Sequence, residues 1–526
     1  MKILFRFCAL LVILTLCFLS PTTSATSGRQ VLVVYPVNGP DLDKDGVNDS
    51  KQIADYYVLK RAIPSSNVLG VTISVIGIGY YYAGEYAKFY GDLVAPIKAR
   101  LAKLGPENID VILLVGAIPF ETRNSVEAPV SVDNALMMVG YLSPNKNNIA
   151  VQNNPYFEST PSFGSDLGHF NHTQYKLLGT NDVYMVSRLR NMDQIDQALY
   201  ADKYLFPYEG YYNGNVYVDS EYGQGGSGNV PRYTDEYLLS QPNAHSGNFA
   251  RSEAEADMNI AFAEHYVRQS GFPLKWENTT NALVIGRPGA QFSDGSSALT
   301  APRALFYVGW YNYGNYNDVW DWLPGSVACD LNSGPTFGTQ ALNHGASGAS
   351  YVIGEPYRTG HQRPDVLLYY LLNGYSFAEA STLATPTVGW MAVNEGDPLY
   401  TPNAPVLVTP TPDFPKTMVK DSSPPVLSAG YPAIAAGPEA NDRVIQLLIS
   451  DRTQPEVAIA QVDYGMESKY GTTASSGPGY KRRLAVTLKS LQKNALYHYR
   501  VTLTDPSGNV TVTNDFTLNT SRRPNR

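Results

Sequence analysis

The sequence predicts a large α/β domain with a mostly parallel sheet flanked by helices, followed by a smaller all-β domain. Two observations carry this prediction. Across residues 29–402, short apolar and β-branched runs alternate with amphipathic segments, which is typical of parallel strands joined by helical crossovers. After a proline-rich stretch the hydrophobic period changes to two, with turn residues between short runs, which indicates antiparallel strands.

An export signal is predicted at residues 1–25. Lys2 and Arg6 form a basic start, residues 8–19 are apolar, and Ala25 closes a small-residue cleavage site. The apolar run is short for a membrane span, and no later segment is apolar enough to cross a bilayer. We therefore expect an exported protein, periplasmic or extracellular, that does not span the membrane.

The α/β domain is expected to cover residues 28–402, with two halves at about 28–205 and 210–402. Its predicted elements alternate in order along the chain. The predicted strands are 30–35, 69–75, 109–116, 183–189, 215–220, 281–286, 304–309, 326–329 and 350–354. The predicted helices are 50–61, about 89–101, 193–205, 253–267, 339–344 and 364–372, and a further helix begins at the capping box of Ser376 and Glu379. The irregular stretch 125–180 is long enough to be an insertion or a functional loop.

Residues 403–425 form a proline-rich linker, which is semi-rigid and extended. Beyond it, residues 426–520 contain five short period-two runs, and Leu491 stands six residues before Tyr497 in the manner of a tyrosine corner. This stretch resembles a fibronectin type III domain. The resemblance implies a spacer or adhesion unit.

The composition of the chain limits the classes of molecule that we expect it to bind. The net charge is −8 and no basic cluster is present, which argues against nucleic acid as a partner. The 38 tyrosines fit either stacking on sugars or a rigid amphipathic surface. Cys8 and Cys17 leave with the signal, so Cys329 is alone in the mature chain and cannot form an internal disulfide.

Residues 41–49, DLDKDGVND, predict a structural calcium site. Asp41, Asp43 and Asp45 alternate, a glycine stands sixth, and Asp49 follows, as at the start of a calcium loop. The twelfth position, where an EF-hand has a bidentate glutamate, is Gln52. The alternative is an acidic helix N-terminus that needs no metal.

Cys329 ends an apolar run, which makes it a candidate nucleophile if a base lowers its pKa. His344, in the helix that follows, is a candidate base. The alternative is a buried structural cysteine. Motifs of serine hydrolases, zinc peptidases, nucleotide-binding loops and dinucleotide-binding folds do not appear where their structural context requires them.

Acidic residues also stand where predicted strands end. Asp133, Asp330, Glu395 and Asp397 could support acid–base chemistry. Their neighbours are turn formers, so ordinary loop positions are the alternative.

Several segments resemble an uncharacterised family of exported bacterial proteins known from genomes that encode the exosortase sorting system. The resemblance covers about residues 31–402 and rests on VLVVYPVNGPD, SVDNAL, NNPYF, FYVGWYNYGN and GWMAVNEGDPLYTP in this order. It carries no established activity. A more distant similarity is to gingipain- and caspase-like cysteine peptidases, in which one strand ends in His-Gly and the next in the nucleophilic cysteine.

In that comparison SVAC supplies the cysteine, Cys329, and GDPLY resembles the closing Gly-Asp-Pro of gingipain-type domains. The preceding strand should supply the histidine but continues as GWYNY, residues 309–313, none of which is a competent base near neutral pH. We therefore expect a binding or non-catalytic protein of the cell envelope on a cysteine-peptidase-like scaffold. Its ligand would be a peptide or glycan at the cell surface. The aromatic residues expected at the rim of its site are Trp310, Tyr311, Tyr313 and Trp320, whose alternative role is packing. The competing hypothesis is an active cysteine hydrolase that uses Cys329.

Overall fold

The structure is a computed structural model. It describes residues 26–76, 80–81, 85–123, 129–145, 149–158, 176–177, 181–207, 211–220, 253–278, 285–309, 316–402, 420–450 and 456–521. The predicted signal at 1–25, the aromatic residues Trp310, Tyr311 and Tyr313, and most of the predicted linker lie outside these residues.

Within the described residues, a ten-stranded sheet forms the centre of the α/β domain, as the sequence predicted in outline. Its strands are β1 (Val31–Pro36), β2 (Val68–Val71), β3 (Val111–Val115), β4 (Met185–Leu189), β5 (Asn215–Asp219), β6 (Leu274–Glu277), β7 (Ala301–Gly309), β8 (Trp320–Asp330), β9 (Gly348–Val352) and β10 (Ala392–Glu395). Their order across the sheet is β6-β5-β7-β8-β9-β10-β4-β3-β1-β2. Both predicted halves of the domain therefore contribute to one sheet.

The sheet is mixed, because it consists of two parallel sets that run in opposite directions. Strands β5 to β9 are parallel to one another, and β10 is parallel to β4. The two sets meet where β10 pairs antiparallel with β9. The carboxyl ends of the two sets of strands therefore lie at opposite ends of the sheet. Asp330 is the last residue of β8 at one end, and Glu395 is the last residue of β10 at the other.

Helices cover both faces of the sheet. They are α1 (Asp49–Lys60), α2 (Ala95–Leu104), α3 (Val132–Met137), α4 (Met192–Tyr204), α5 (Glu253–Ser270), α6 (Thr336–Asn343), α7 (Pro364–Leu371) and α8 (Phe377–Ala384). A short helix, Tyr86–Phe89, and a π-helical turn, Tyr90–Val94, lead directly into α2. Further short helices are Gly28–Gln30, Ser65–Asn67, Pro106–Asn108, Pro155–Glu158 and Tyr357–Gly360.

Small sheets decorate the domain. Tyr80–Tyr81, Glu121–Arg123 and Pro129–Ser131 form one of them, Gln152–Asn153 pairs with Thr387–Val388, and Lys176–Leu177 pairs with Asn181–Asp182. Among the described residues, no helix combines the length and apolar character that a bilayer crossing requires.

Strand β8 is longer than the four residues that the sequence predicted. It begins at Trp320 and contains Gly325 in its middle, with a φ of 79°. A Cβ at this position would lie 2.3 Å from the Cβ of Ala201 on α4, so only glycine allows the helix to pack this closely. The glycine therefore interrupts the apolar pattern without ending the strand.

Two antiparallel sheets with one shared core form the C-terminal domain. Their strands are β11 (Ala433–Ala436), β12 (Arg443–Leu448), β13 (Ile459–Gly465), β14 (Thr472–Ser475), β15 (Arg483–Leu488), β16 (Leu496–Thr504), β17 (Val510–Val512) and β18 (Phe516–Asn519). One sheet has the order β11-β12-β15, and the other β14-β13-β16-β17 with β18 also paired to β16. At the predicted tyrosine corner, the hydroxyl of Tyr497 accepts a hydrogen bond from the backbone N–H of Gln492 at 2.9 Å.

Candidate functional site

Cys329 lies on β8, one residue before the end of the strand, and its side chain is sealed in the core. Side chains alternate between the two faces of a strand. Accordingly, Val327 and Cys329 pack in the apolar cluster that contains α5 and α7, whereas Ala328 packs in the cluster that contains α6. Cys329 is only 1% exposed. Burial and the nearby charges of Asp330 and Asp365 raise the pKa of its thiol well above the ordinary value, which disfavours the thiolate.

His344 lies on the other face of the sheet. It follows the last residue of α6, whose Phe337 and Ala341 pack in the cluster opposite Cys329. Its ring stacks on Tyr316 with 5.0 Å between centroids, and its Nδ1 lies 2.8 Å from the carbonyl oxygen of Gln340. The structure therefore does not bring the two sequence-predicted catalytic residues together, because the sheet separates them.

Four neighbouring strands, β6, β5, β7 and β8, end side by side, and three of them end in an acidic residue. Glu277, Asp219, Gly309 and Asp330 are aligned across β6, β5, β7 and β8. Adjacent strands are about 4.8 Å apart, so Asp219 and Asp330 are separated by about 10 Å across the strand of Gly309. Asp219 accepts a hydrogen bond from the hydroxyl of Tyr307 at 3.3 Å. A Cβ at Gly309 would lie 2.4 Å from the carbonyl oxygen of Asp219, which explains the glycine.

Asp330 differs from the other predicted acidic residues because no cation faces it among the described residues. Its side chain is 2% exposed, and neither carboxyl oxygen has a well-formed hydrogen bond within the described part of the chain. Burial raises the pKa of Asp330 to about 8, although the backbone N–H and side-chain amide of nearby Asn332 oppose the rise. Asp330 is therefore largely protonated at neutral pH.

The remaining predicted acidic residues are ion-pair partners of arginines. Asp133 on α3 binds Arg188 of β4 through both oxygens, at 3.2 and 2.5 Å. Glu395 binds Arg190 at 2.5 Å and accepts from the Tyr351 hydroxyl at 2.9 Å. These contacts fix α3 and the junction of the two parallel sets, which is a structural role.

Asp397, in the Gly-Asp-Pro segment, holds the end of α1. It accepts a hydrogen bond from Nε of Arg61 at 2.8 Å and another from the Tyr57 hydroxyl at 3.1 Å. Arg61 also binds Asp202 at 2.7 Å. The segment therefore ties the last strand of the sheet to α1 and α4.

Trp320 stands at the opposite end of β8 from Cys329 and is 3% exposed. It stacks on Trp322 with 5.1 Å between rings and meets Tyr217 and Tyr307 edge-on at 5.3 and 4.9 Å. This corrects its predicted place on the rim of a binding site. The alternation of the WDWL segment buries both tryptophans in the core.

The acidic loop brings three of its four predicted ligands together. Side-chain oxygens of Asp41, Asp43 and Asp49 lie within 4.8 Å of one another. Asp45 instead accepts hydrogen bonds from Gln52 Nε2 at 2.5 Å and from the backbone N–H of Val47 at 2.9 Å. The glycine in the sixth position, Gly46, has a φ of 90°, as the tight turn requires.

Some residues of interest escaped the sequence analysis. Asp219 and Glu277 close their strands as Asp330 does, and the same strand-end rule applied to NVYVD and LKWE would have identified them. Arg188 and Arg190 had no such signal, because their partners Asp133 and Glu395 are far away in sequence.

No protein-family model matches the chain, and no curated protein matches it. Among solved structures, purple acid phosphatase PPD1 from yellow lupin (Lupinus luteus) is 16% identical over 27% of this chain, with a TM-score of 0.15. The match spans 23% of the length of the phosphatase. Wild-type OgpA from Akkermansia muciniphila is 11% identical, with a TM-score of 0.15, over 60% of this chain and 93% of that protein. Neither likeness carries an argument about fold or function.

Proposed function

We propose that this is an exported bacterial protein of the cell envelope that binds a peptide or glycan at the cell surface without catalysis. Its large domain would be a cysteine-peptidase-like scaffold of the caspase and gingipain type. The observation that carries the proposal is the environment of Cys329. The thiol is buried, its pKa is raised, and His344 lies beyond the sheet.

Two further observations support the proposed architecture. Cys329 lies near the carboxyl end of a central strand next to β7, which is the arrangement that the peptidase resemblance implies. In the C-terminal domain, a three-stranded sheet faces a larger one and Tyr497 forms its corner hydrogen bond, which supports a fibronectin type III fold. An adhesive or spacer role of this domain agrees with a binding function.

Thiol labelling tests the proposal against the alternative of an active cysteine hydrolase. With the mature chain, folded at neutral pH, we expect iodoacetamide to leave Cys329 unmodified, because the side chain is buried and protonated. In denaturant we expect one modified thiol per chain, measured by intact-mass spectrometry. Rapid labelling of the folded protein, abolished in Cys329→Ser, would establish a reactive nucleophile and refute the non-catalytic proposal.

We also propose that the acidic loop binds one structural Ca²⁺ ion through Asp41, Asp43 and Asp49, with Asp45 in the same loop. The proposal is supported by the converging oxygens of the three carboxylates, which are the hard ligands that calcium prefers. Such an ion would hold the loop between β1 and α1.

Calcium should raise the melting temperature of the protein. At a calcium concentration a hundredfold above the dissociation constant, the stabilisation would be about 2.7 kcal/mol. We expect the double variant Asp43→Ala/Asp45→Ala to lose this shift in differential scanning fluorimetry. Asp55→Ala is the matched control, because Asp55 is an exposed carboxylate on α1 that pairs with Lys51. An unchanged calcium shift in the double variant would exclude the loop as the site.

A further inference from the structure

One face of helix α4 carries the C-terminal domain. The residues involved recur at helical spacing, beginning with Asp193, Asp196, Gln197 and Tyr200. Gln197 donates from Nε2 to the carbonyl oxygen of Tyr480 at 2.8 Å. The contact is thus a continuous stripe along the helix.

The amino-terminal half of this stripe is balanced in charge. Asp193 faces Lys481 and accepts hydrogen bonds from the backbone of Arg482 and Arg483. Asp196 accepts from the Tyr56 hydroxyl at 2.6 Å and also faces Arg482. Here the acidic groups of the helix meet basic groups of the C-terminal domain.

The carboxyl-terminal half is different, because Tyr200 there faces Asp421 and Asp505, and these two acidic groups in turn face Glu456. The Tyr200 hydroxyl donates to Oδ2 of Asp421 at 2.7 Å and lies 2.6 Å from Oγ of Ser507. Asp421 and Asp505 are 5% and 1% exposed, and Glu456 is half-buried with an Oε2 atom that has no hydrogen-bond partner in the described part of the chain.

A shared donor ties two of these groups together. Nδ2 of Asn509 donates to Oδ2 of Asp505 at 2.9 Å and to the backbone carbonyl of Asp421 at 3.3 Å. Lys203 is the cation that acts on Glu456 from α4, and the neighbouring Tyr204 is neutral. Asp421 and Glu456 thus face one lysine, Lys203, and Asp505 faces Asp421.

We propose that Tyr200, Asp421, Glu456 and Asp505 form a proton-dependent clasp that holds the C-terminal domain on α4 in acid and loosens as the pH rises. Each proton that the clasp retains removes one negative charge from a place where carboxylates repel each other and are poorly solvated. The clasp controls the relation of the two domains and is independent of the proposed ligand and of Cys329.

The direction of the effect follows from proton linkage. Burial, and then the charge of Asp421, raise the pKa of Glu456 to about 8, and burial also raises the pKa of Asp505 to about 6. Both groups bind protons more tightly in the docked protein than solvent-exposed carboxyls do, and separation from α4 would expose them to solvent. Docking is therefore strongest below about pH 4, and it weakens as the pH rises through 6 and 8, by up to about tenfold per pH unit for each titrating group.

Fluorescence transfer within the full mature chain tests the clasp. Dyes are attached at Leu59→Cys on α1 and Met466→Cys in the C-terminal domain, both of which are exposed positions, while Cys329 is buried. Between about pH 5 and about pH 8.5 we expect the transfer efficiency to fall as the docked fraction decreases. In the same background, Glu456→Gln/Asp505→Asn should remove most of this fall, and the remainder is the contribution of Asp196, whose pKa burial raises to about 6 in the other half of the stripe.

Asp463→Asn is the matched control, because Asp463 pairs with Arg500 away from α4 and should leave the pH response intact. Circular dichroism of each variant shows whether both domains remain folded. Equal transfer at both pH values in the parent chain would overturn the clasp. An undiminished fall in the folded double variant would overturn it as well.

Discussion

Replacement of Arg188 by methionine is expected to lower the free energy of unfolding of the α/β domain by about 3–5 kcal/mol. Arg188 is fully buried and binds both oxygens of Asp133. It also donates to the carbonyl oxygens of Ile118 and Pro119 at 2.5 and 3.0 Å. Methionine fills a similar volume but leaves the carboxylate of Asp133 buried without its cation, and that uncompensated charge accounts for most of the loss.

Denaturant unfolding followed by tryptophan fluorescence measures this effect, because all five tryptophans precede residue 403 and report on the α/β domain. Lys51→Met, which removes the exposed ion pair between Lys51 and Asp55 on α1 of the same domain, should cost only about 0.2–1 kcal/mol. The double variant Arg188→Met/Asp133→Leu should regain most of the lost stability, because both buried charges are gone. If the double variant were as unstable as Arg188→Met alone, the loss of stability would come from packing and not from the unpaired charge of Asp133.

Trp320→Ala is expected to cost about 3–5 kcal/mol, the usual loss when a buried tryptophan is truncated. The ring is 3% exposed and contacts Trp322, Tyr217 and Tyr307, so its removal leaves a cavity in the aromatic cluster on the α6 side of the sheet. A residue on the rim of a binding site would cost far less.

Circular dichroism during denaturant unfolding is the suitable measurement, because this variant loses a fluorophore. Leu299→Ala serves as the control, since Leu299 is 46% exposed and its truncation should change stability by no more than about 0.5 kcal/mol. If the free energy of unfolding of Trp320→Ala were within about 1 kcal/mol of the parent value, Trp320 would belong at the surface, as its sequence context suggested.

Much of the architecture could be predicted because a continuous apolar run such as VILLV indicates a buried strand without any knowledge of the rest of the fold. The boundaries of β8 could not, because Gly325 interrupts the apolar run and is required by the close approach of Ala201, a long-range contact. The antiparallel pairing of β10 with β9 could not be predicted either, because no local sequence pattern shows whether two neighbouring strands are parallel or antiparallel.

The candidate site was predicted less well than the fold. Sequence distance suggested that Cys329 and His344 were near each other, but strand alternation and the side on which α6 packs set them on opposite faces. The acidic residues at strand ends illustrate the same limit. Their types and positions were visible, but only the fold shows that Asp133 and Glu395 have arginine partners whereas Asp330 faces no cation within the described residues.

The place of β10 in the middle of the sheet governs the order in which the domain can be assembled. This strand is the last of the ten in the chain, yet it separates β9 from β4. Until residues 392–395 arrive, a chain that emerges from its amino terminus has two half-sheets, each with an open edge that can pair with another chain. Completion of the domain therefore depends on contacts of high sequence separation, which favours slow folding once the whole domain has been synthesised.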